Sequence, residues 1–209
     1  MPLPAVDEAT LHAWRARAVE LHGAFVRELV EGHDFCPWAH SARIAGRSHL
    51  RALWSAELEH FFATSLRAAD AQKIEVWQLV VLDAPSRAMQ WRAYVADLEQ
   101  YLRRTHGALP WAFAAFHPQH PGRPESIGGT IGMLRRSPLP TIQLVRLEVL
   151  ERVRTKAATQ VNALPQQNQE TLRAWLQNDD ACARHAQWLK EGQDLLQEID
   201  RFSPPTPRE

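Results

Sequence analysis

The chain opens on a helical pattern. Leu11, Trp14, Ala18, Leu21, Phe25 and Leu29 recur at steps of three and four, which places them on one stripe of a helix. Glu8, Arg15, Arg17, Glu20 and Arg27 lie mostly off that stripe. Gly32 is expected to end the helix in the left-handed cap conformation, which glycine adopts at little steric cost. His49 to Trp54 reads as a short strand. Ser55 then reads as the cap of a helix with Leu58, Phe61, Phe62 and Leu66 on its apolar side. The strongest strand is Ile74 to Leu82, almost continuously apolar and closed by Asp83-Ala84-Pro85; that texture fits burial on both faces. Ser86 is expected to cap a second helix through Trp91, Tyr94, Val95, Leu98, Tyr101 and Leu102. A third strand, Trp111 to Phe116, runs straight into His117-Pro118.

Strands alternating with helices at these lengths predict an α/β fold. We expect a small layered sheet of about three to four mostly parallel strands with right-handed crossovers and flanking helices. Between Pro118 and Pro140 five prolines and four glycines interrupt every period, so the segment reads as a long loop. A loop of that length is more often functional than idle. Helical stretches are expected over 141–163, 168–178 and 181–200, divided by Pro165 and by Asn178-Asp179-Asp180. The organisation expected is an α/β core over 1–165, C-terminal helices over 166–202 packed on it, and a disordered tail over 203–209.

Composition narrows the function classes. Twenty-four basic residues balance 24 acidic ones, and the pI is about 7.2. That argues against a nucleic acid or an anionic membrane bound by bulk charge. The 45% apolar content, with eight Trp among 209 residues, supports a sizeable core and excludes a wholly disordered chain. The opening residues carry neither a basic nor an apolar leader region, and no apolar run reaches the roughly 20 residues that span a bilayer. Two cysteines make no disulfide framework, so a cytoplasmic location is expected.

Four local features bear on chemistry. Cys36 precedes Pro37 on extended or turn backbone; beside a helix start its thiolate would be favoured by exposed N–H dipoles. Read blandly, it is a small buried hydrophobe. His117 follows an apolar strand, where open α/β sheets bind ligands and an imidazole can act near neutral pH. It can equally orient the turn before Pro118. Arg136 and Ser137 suit a carboxylate or phosphate, although a surface Arg pair (Arg135-Arg136) is commonplace. His33, Cys36 and His40, with His117 and His120, supply scattered metal-ligand types that match no closed-site signature. Gly128-Gly129-Thr130-Ile131-Gly132 lacks dinucleotide spacing and is weak evidence for a phosphate loop; no P-loop, nucleophile-elbow or H-E-x-x-H motif occurs. Cys182 lies on the apolar side of a late helix and reads as packing.

Phe35-Cys36-Pro37-Trp38-Ala39, Ala115-Phe116-His117-Pro118, Arg136-Ser137-Pro138-Leu139-Pro140 and Leu144-Val145-Arg146 resemble, in order and spacing, a bacterial family catalogued as domain of unknown function 1415. The resemblance covers roughly residues 20 to 160. It marks Cys36, Pro37, His117, Pro118, Arg136, Ser137, Pro138, Pro140 and Arg146 as matches, and so adds Arg146 to the substrate-binding candidates. The chain departs from the resembled motifs at Arg135, which stands for Asn, at Gln143, which stands for His, and at Leu147, which stands for an acid. Glycines at 128–132 also replace acidic and amide residues, which implies a divergent member with altered or lost activity.

The expectation is thus a small-molecule enzyme of unknown reaction. Cys36 would be the nucleophile and His117 its general base, with Arg136 and Ser137 holding an anionic part of the substrate for group transfer or hydrolysis. That requires the sulfur and the imidazole within about 4 Å. Two alternatives stay open. One is a metal or haem protein using Cys36 with His33, His40, His117 or His120. The other is a non-catalytic interaction module that docks through Trp175 and Trp188. No cofactor is identified.

Overall fold

Three strands run in one direction, and a fourth is inserted among them in the opposite one. They are β1 (Ser48–Leu53), β2 (Val76–Val81), β3 (Trp111–Phe116) and β4 (Thr141–Arg146), in the order β1-β2-β4-β3. β1 and β2 are parallel, and β4 is antiparallel to both β2 and β3. The computed structural model describes residues 4, 6–36, 38–71, 73–122, 125–157 and 163–202. Pro37 and the tail over 203–209 lie outside the described residues.

The α/β class is as the sequence indicates. α3 (Leu58–Ala71) links β1 to β2, and α4 (Ala88–His106) links β2 to β3. All six residues of β2 are buried, as a strand covered on both faces must be. Side chains alternate across a strand. Trp77, Leu79, Val81, Ile142, Leu144, Trp111 and Ala115 therefore share a core with Phe61, Phe62, Trp91, Val95 and Leu102 of α3 and α4. The other face receives α1 (Glu8–Phe25). Its Trp14, Ala18, Leu21 and Phe25 pack in one cluster with Ala52, Val80, Leu172, Trp175, Trp188, Leu195 and Ile199. The last five of these come from α7 (Ala163–Leu176) and α8 (Asp179–Asp200), so the C-terminal helices share the core of α1. Trp175 and Trp188 are buried in it and form no exposed docking surface. Gly192 of α8 lies against Pro138, where a Cβ would come within 2.0 Å of the Pro138 carbonyl oxygen.

Several local expectations are corrected. Residues 141–146 are the central strand β4, and the helix α6 begins only at Leu147 and runs to Ala157. Thr141–Arg146 alternates polar and apolar over only four residues, and Ile142, Val145 and Val149 keep a helical spacing on into α6, which hides the strand. Within the long loop, the eight-residue helix α5 (Ile127–Leu134) is capped by Ser126, whose hydroxyl accepts from the Gly129 N–H. Gly132 of this helix and Gly122 before it serve close packing, whereas Gly128 faces open space. A Cβ on Gly132 would meet the Pro121 carbonyl oxygen at 2.2 Å, and one on Gly122 the Met133 nitrogen at 2.3 Å.

Gly32 is right-handed, with φ −63°, and the helix reaches it through a π-helical turn over Val26–Glu31. Asp34, with φ 54°, takes the left-handed conformation instead. Ser55 opens a 3-10 turn (Ser55–Glu57), and its hydroxyl donates to Asp83 at 2.6 Å. Arg87, with no side-chain cap, precedes α4 in place of Ser86. Pro165 falls in the first turn of α7, where a missing N–H costs no helix bond, so it divides nothing.

Candidate functional site

The alternation that buries one face of β2 and β4 against α3 and α4 turns Gln78, Thr141 and Gln143 the other way. Cross-strand pairing sets three rows on that face: Val80–Thr141–Phe116, Gln78–Gln143–Ala114 and Val76–Val145–Ala112. All of these residues but Val80, which packs in the α1 core, floor a cavity of about 360 Å³. Its walls come from the end of α1 and the π-helical turn (His22, Phe25, Val26, Val30, Glu31), from the turn before the short helix α2 (Ala39–Ile44), and from Leu134 and Arg135 at the end of α5. Such a volume lies at the small end of the range for ligand cavities, about 300–1,000 Å³. A π-helical turn in the wall also fits, since such turns concentrate at functional sites.

Most of the lining is apolar; its polar groups are Gln78, Thr141 and Gln143 on the floor and His22, Glu31 and Arg135 in the walls, with Ser48 and Cys36. His22 is buried at 2% exposure. Its Nε2 donates to Gln78 Oε1 at 2.7 Å, because an amide oxygen can only accept, and its Nδ1 is left as an acceptor 3.3 Å from the Thr141 hydroxyl. Burial pushes the His22 pKa down to about 4, against the favourable contact with Gln78, so the ring is neutral at physiological pH. Gln143 lies at the centre of β4 with its side chain on the cavity. Among the described residues its amide has no hydrogen-bond partner. Glu31 lines the wall but is paired outward. Arg43 Nη2 lies 2.8 Å from its carboxylate and His40 Nδ1 3.2 Å, and Arg43 above all holds its pKa below the usual range.

Cys36 also lines this cavity. The backbone N–H groups of Trp38 and Ala39 point at its sulfur, yet burial outweighs them and pushes the thiol up to about 11. The expected lowering of its pKa is therefore corrected: this thiol is protonated at neutral pH. His117 does not line the cavity. Its Nε2 donates to the Pro85 carbonyl at 3.2 Å, and its Nδ1 accepts from the Gln119 N–H at 3.0 Å, so both ring nitrogens are used in holding loop backbone.

Arg136 and Ser137 are used in the same way. Arg136 donates to the carbonyls of His120 and Gly122 at 2.8 and 3.3 Å, and Ser137 donates to the Leu139 carbonyl at 2.6 Å. His117 N–H donates to the Arg135 carbonyl, and His185 Nε2 to the Arg136 carbonyl, each at 3.0 Å. The His117 and Arg136 bonds join the turn after β3 to the link between α5 and β4, and His185 ties that link to α8. Their consequence is positional: they set Arg135 and Thr141 at one end of the cavity. Arg146 ends β4 at the other end of the sheet, where its guanidinium donates to the Ile74 carbonyl and lies 5.0 Å over the Trp111 ring. Five residue steps at about 3.4 Å put it roughly 17 Å along the strand from Thr141.

The metal-ligand types do not converge. His33 is exposed beside Phe35, His40 pairs with Glu31, and His120 donates from Nδ1 to the Pro121 carbonyl at 2.9 Å. Among the described residues no three His, Cys, Asp or Glu side chains come together as metal ligands. No helix among those residues is long and apolar enough to cross a membrane.

The structure thus brings Cys36 to a cavity with residues that the sequence reading passed over, and sets His117, Arg136, Ser137 and Arg146 elsewhere. His22 and Gln78 did leave a signal. One is a histidine on the buried side of an amphipathic helix, the other the lone polar residue inside β2. Arg135 and Gln143, two of the departures from the resembled motifs, both line the cavity, whereas Leu147 is exposed at the start of α6. No curated protein and no solved structure matches the chain. One family model does, over residues 18–181, a span that includes the cavity floor, the π-helical turn and the whole link between β3 and β4. The chain belongs to the family described as Protein of unknown function (DUF1415).

Proposed function

We propose that this protein binds a small organic molecule in the cavity between the sheet and the π-helical turn, and acts on it there. The observation that carries this reading is the Gln143 amide, which faces an apolar cavity with no protein partner among the described residues. The amide is half-buried, and a ligand that bonds to it takes the place of water on a polar group already aimed into an apolar-walled cavity. Neutral His22, held by Gln78, adds an acceptor nitrogen close to the same place. Any reaction would draw on these neutral groups, since the Cys36 thiol is protonated and His117 is engaged with backbone. Two unpaired cysteines fit a reducing compartment such as the cytoplasm.

The experiment is a thermal-shift screen of small acids, amides and alcohols against the wild type and Ala114→Leu. Ala114 stands beside Gln143 on the floor, and a leucine there fills the space with little demand on the fold. Ligands that raise the wild-type melting temperature should fail to raise that of Ala114→Leu, while the unliganded variant melts no lower. Ligands that stabilise both proteins equally, or a screen with no ligand at all, would overturn the proposal.

A further inference from the structure

We infer that the molecule bound here is an elongated carboxylic acid and that Arg135 is the residue that selects it. This rests on the reading of the cavity as a ligand site and names the class of ligand. Arg135 lines the cavity at the Thr141 end and is half-buried, and among the described residues its guanidinium has neither a hydrogen bond nor an ion pair. The charge acting on it most directly is another cation, Arg92 of α4. His120, behind it, feels both guanidiniums.

A guanidinium drawn out of water needs a counter-charge, because its lost hydration is otherwise uncompensated. The carbonyls at the C-terminal end of α5 supply only a partial one. Glu31, the one carboxylate among the described lining residues, is committed to Arg43. An anion is therefore what this end of the cavity lacks. The planar fork of arginine matches a carboxylate with two parallel hydrogen bonds. Phe116 and Leu134 flank it with apolar surface, which suits a singly charged head on an apolar body.

The floor also sets the ligand's shape. Gln143 lies two residues beyond Thr141, about 7 Å along the strand, and Val145 about 7 Å further. A ligand with its carboxylate at Arg135 would thus present a second hydrogen-bonding group to Gln143 and an apolar end to Val76, Val145 and Leu150.

The test is a ligand-observed NMR panel of matched pairs, each apolar-bodied carboxylic acid beside its own primary amide, titrated against wild type, Arg135→Gln and Arg135→Lys. The acids should bind the wild type at least tenfold more tightly than their amides. Arg135→Gln should erase that preference, and Arg135→Lys should keep part of it, since lysine retains the charge but not the fork. Circular dichroism should show both variants folded, because the Arg135 side chain makes no bond that the fold uses. If amides bind the wild type as well as acids do, or acids bind Arg135→Gln undiminished, the assignment of Arg135 fails while the cavity remains a ligand site. If neither acid nor amide binds, both readings fall together.

Discussion

His22 on α1 and Gln78 on β2 meet across 2.7 Å in the interior of the protein, joining the helix layer to the sheet by a hydrogen bond inside an otherwise apolar contact. The bond fixes which imidazole nitrogen carries the proton. It also holds the Gln78 side chain on the cavity floor. Because the histidine is buried and neutral, the same contact makes the fold sensitive to acid.

The pH dependence follows from the direction of that shift. An unfolded chain takes up this proton near pH 6.5, the folded protein only near pH 4. Above pH 6.5 the imidazole is neutral in both states and contributes nothing. As the pH falls from 6.5 to 4 the unfolded state binds more protons, so stability declines, by about 3 kcal/mol in all at roughly 1.36 kcal/mol per pH unit. Burial also lowers the pKa of His117, His120 and His185, and each adds a contribution of the same sign. Urea unfolding across this range should show a shallower decline in His22→Gln than in the wild type. Equal slopes would show that His22 takes no part in the loss.

Cys36 should react slowly. With its pKa raised from 9.0 to about 11, the thiolate fraction at pH 8 is about 100-fold below that of an unperturbed thiol. In a Cys182→Ser background, iodoacetamide should modify folded Cys36 far more slowly than the same residue in urea. A folded-state rate equal to or above the unfolded one would restore the nucleophile reading.

Arg135 and Arg136 adjoin in sequence but differ in what they touch, and substitution should separate them. Arg136→Ala removes two charge-assisted bonds to the carbonyls of His120 and Gly122. At roughly 1.5–3 kcal/mol for such bonds, less some solvent screening, the expected loss is about 2–4 kcal/mol. For a chain of this size that lowers the melting temperature by about 5–15 °C. Ligand affinity of the folded fraction should fall far less than in Arg135→Gln, since the His117 N–H and His185 still hold the Arg135 and Arg136 backbone. A stable Arg136→Ala that fails to bind would return Arg136 to the site.

Much of the fold could be read in the residues. The apolar continuity of β2, the stripe on α1 and the apolar run from Trp111 to Phe116 each correspond to an element of the structure. β4 could not be read so, because its alternation lasts only from Thr141 to Leu144 and Ile142, Val145 and Val149 share a helical spacing that runs on into α6. The motifs drew the eye to His117, Arg136 and Ser137, whose polar atoms are consumed by backbone groups brought close only by folding. Sequence order marks such residues as unusual but says nothing of where their hydrogen bonds go. The cavity depends on the insertion of β4 beside β2, a long-range pairing that spacing along the chain does not encode.

The most direct test is a side-chain amide map. With a carboxylic acid found in the matched-pair panel added to isotope-labelled protein, the Gln143 and Gln78 amide signals should shift most, and the Arg135 Nε–H with them. Shifts clustered instead at His117, Gln119 and Arg87, with the two glutamines unmoved, would contradict the placement of the ligand site in the cavity beneath the π-helical turn.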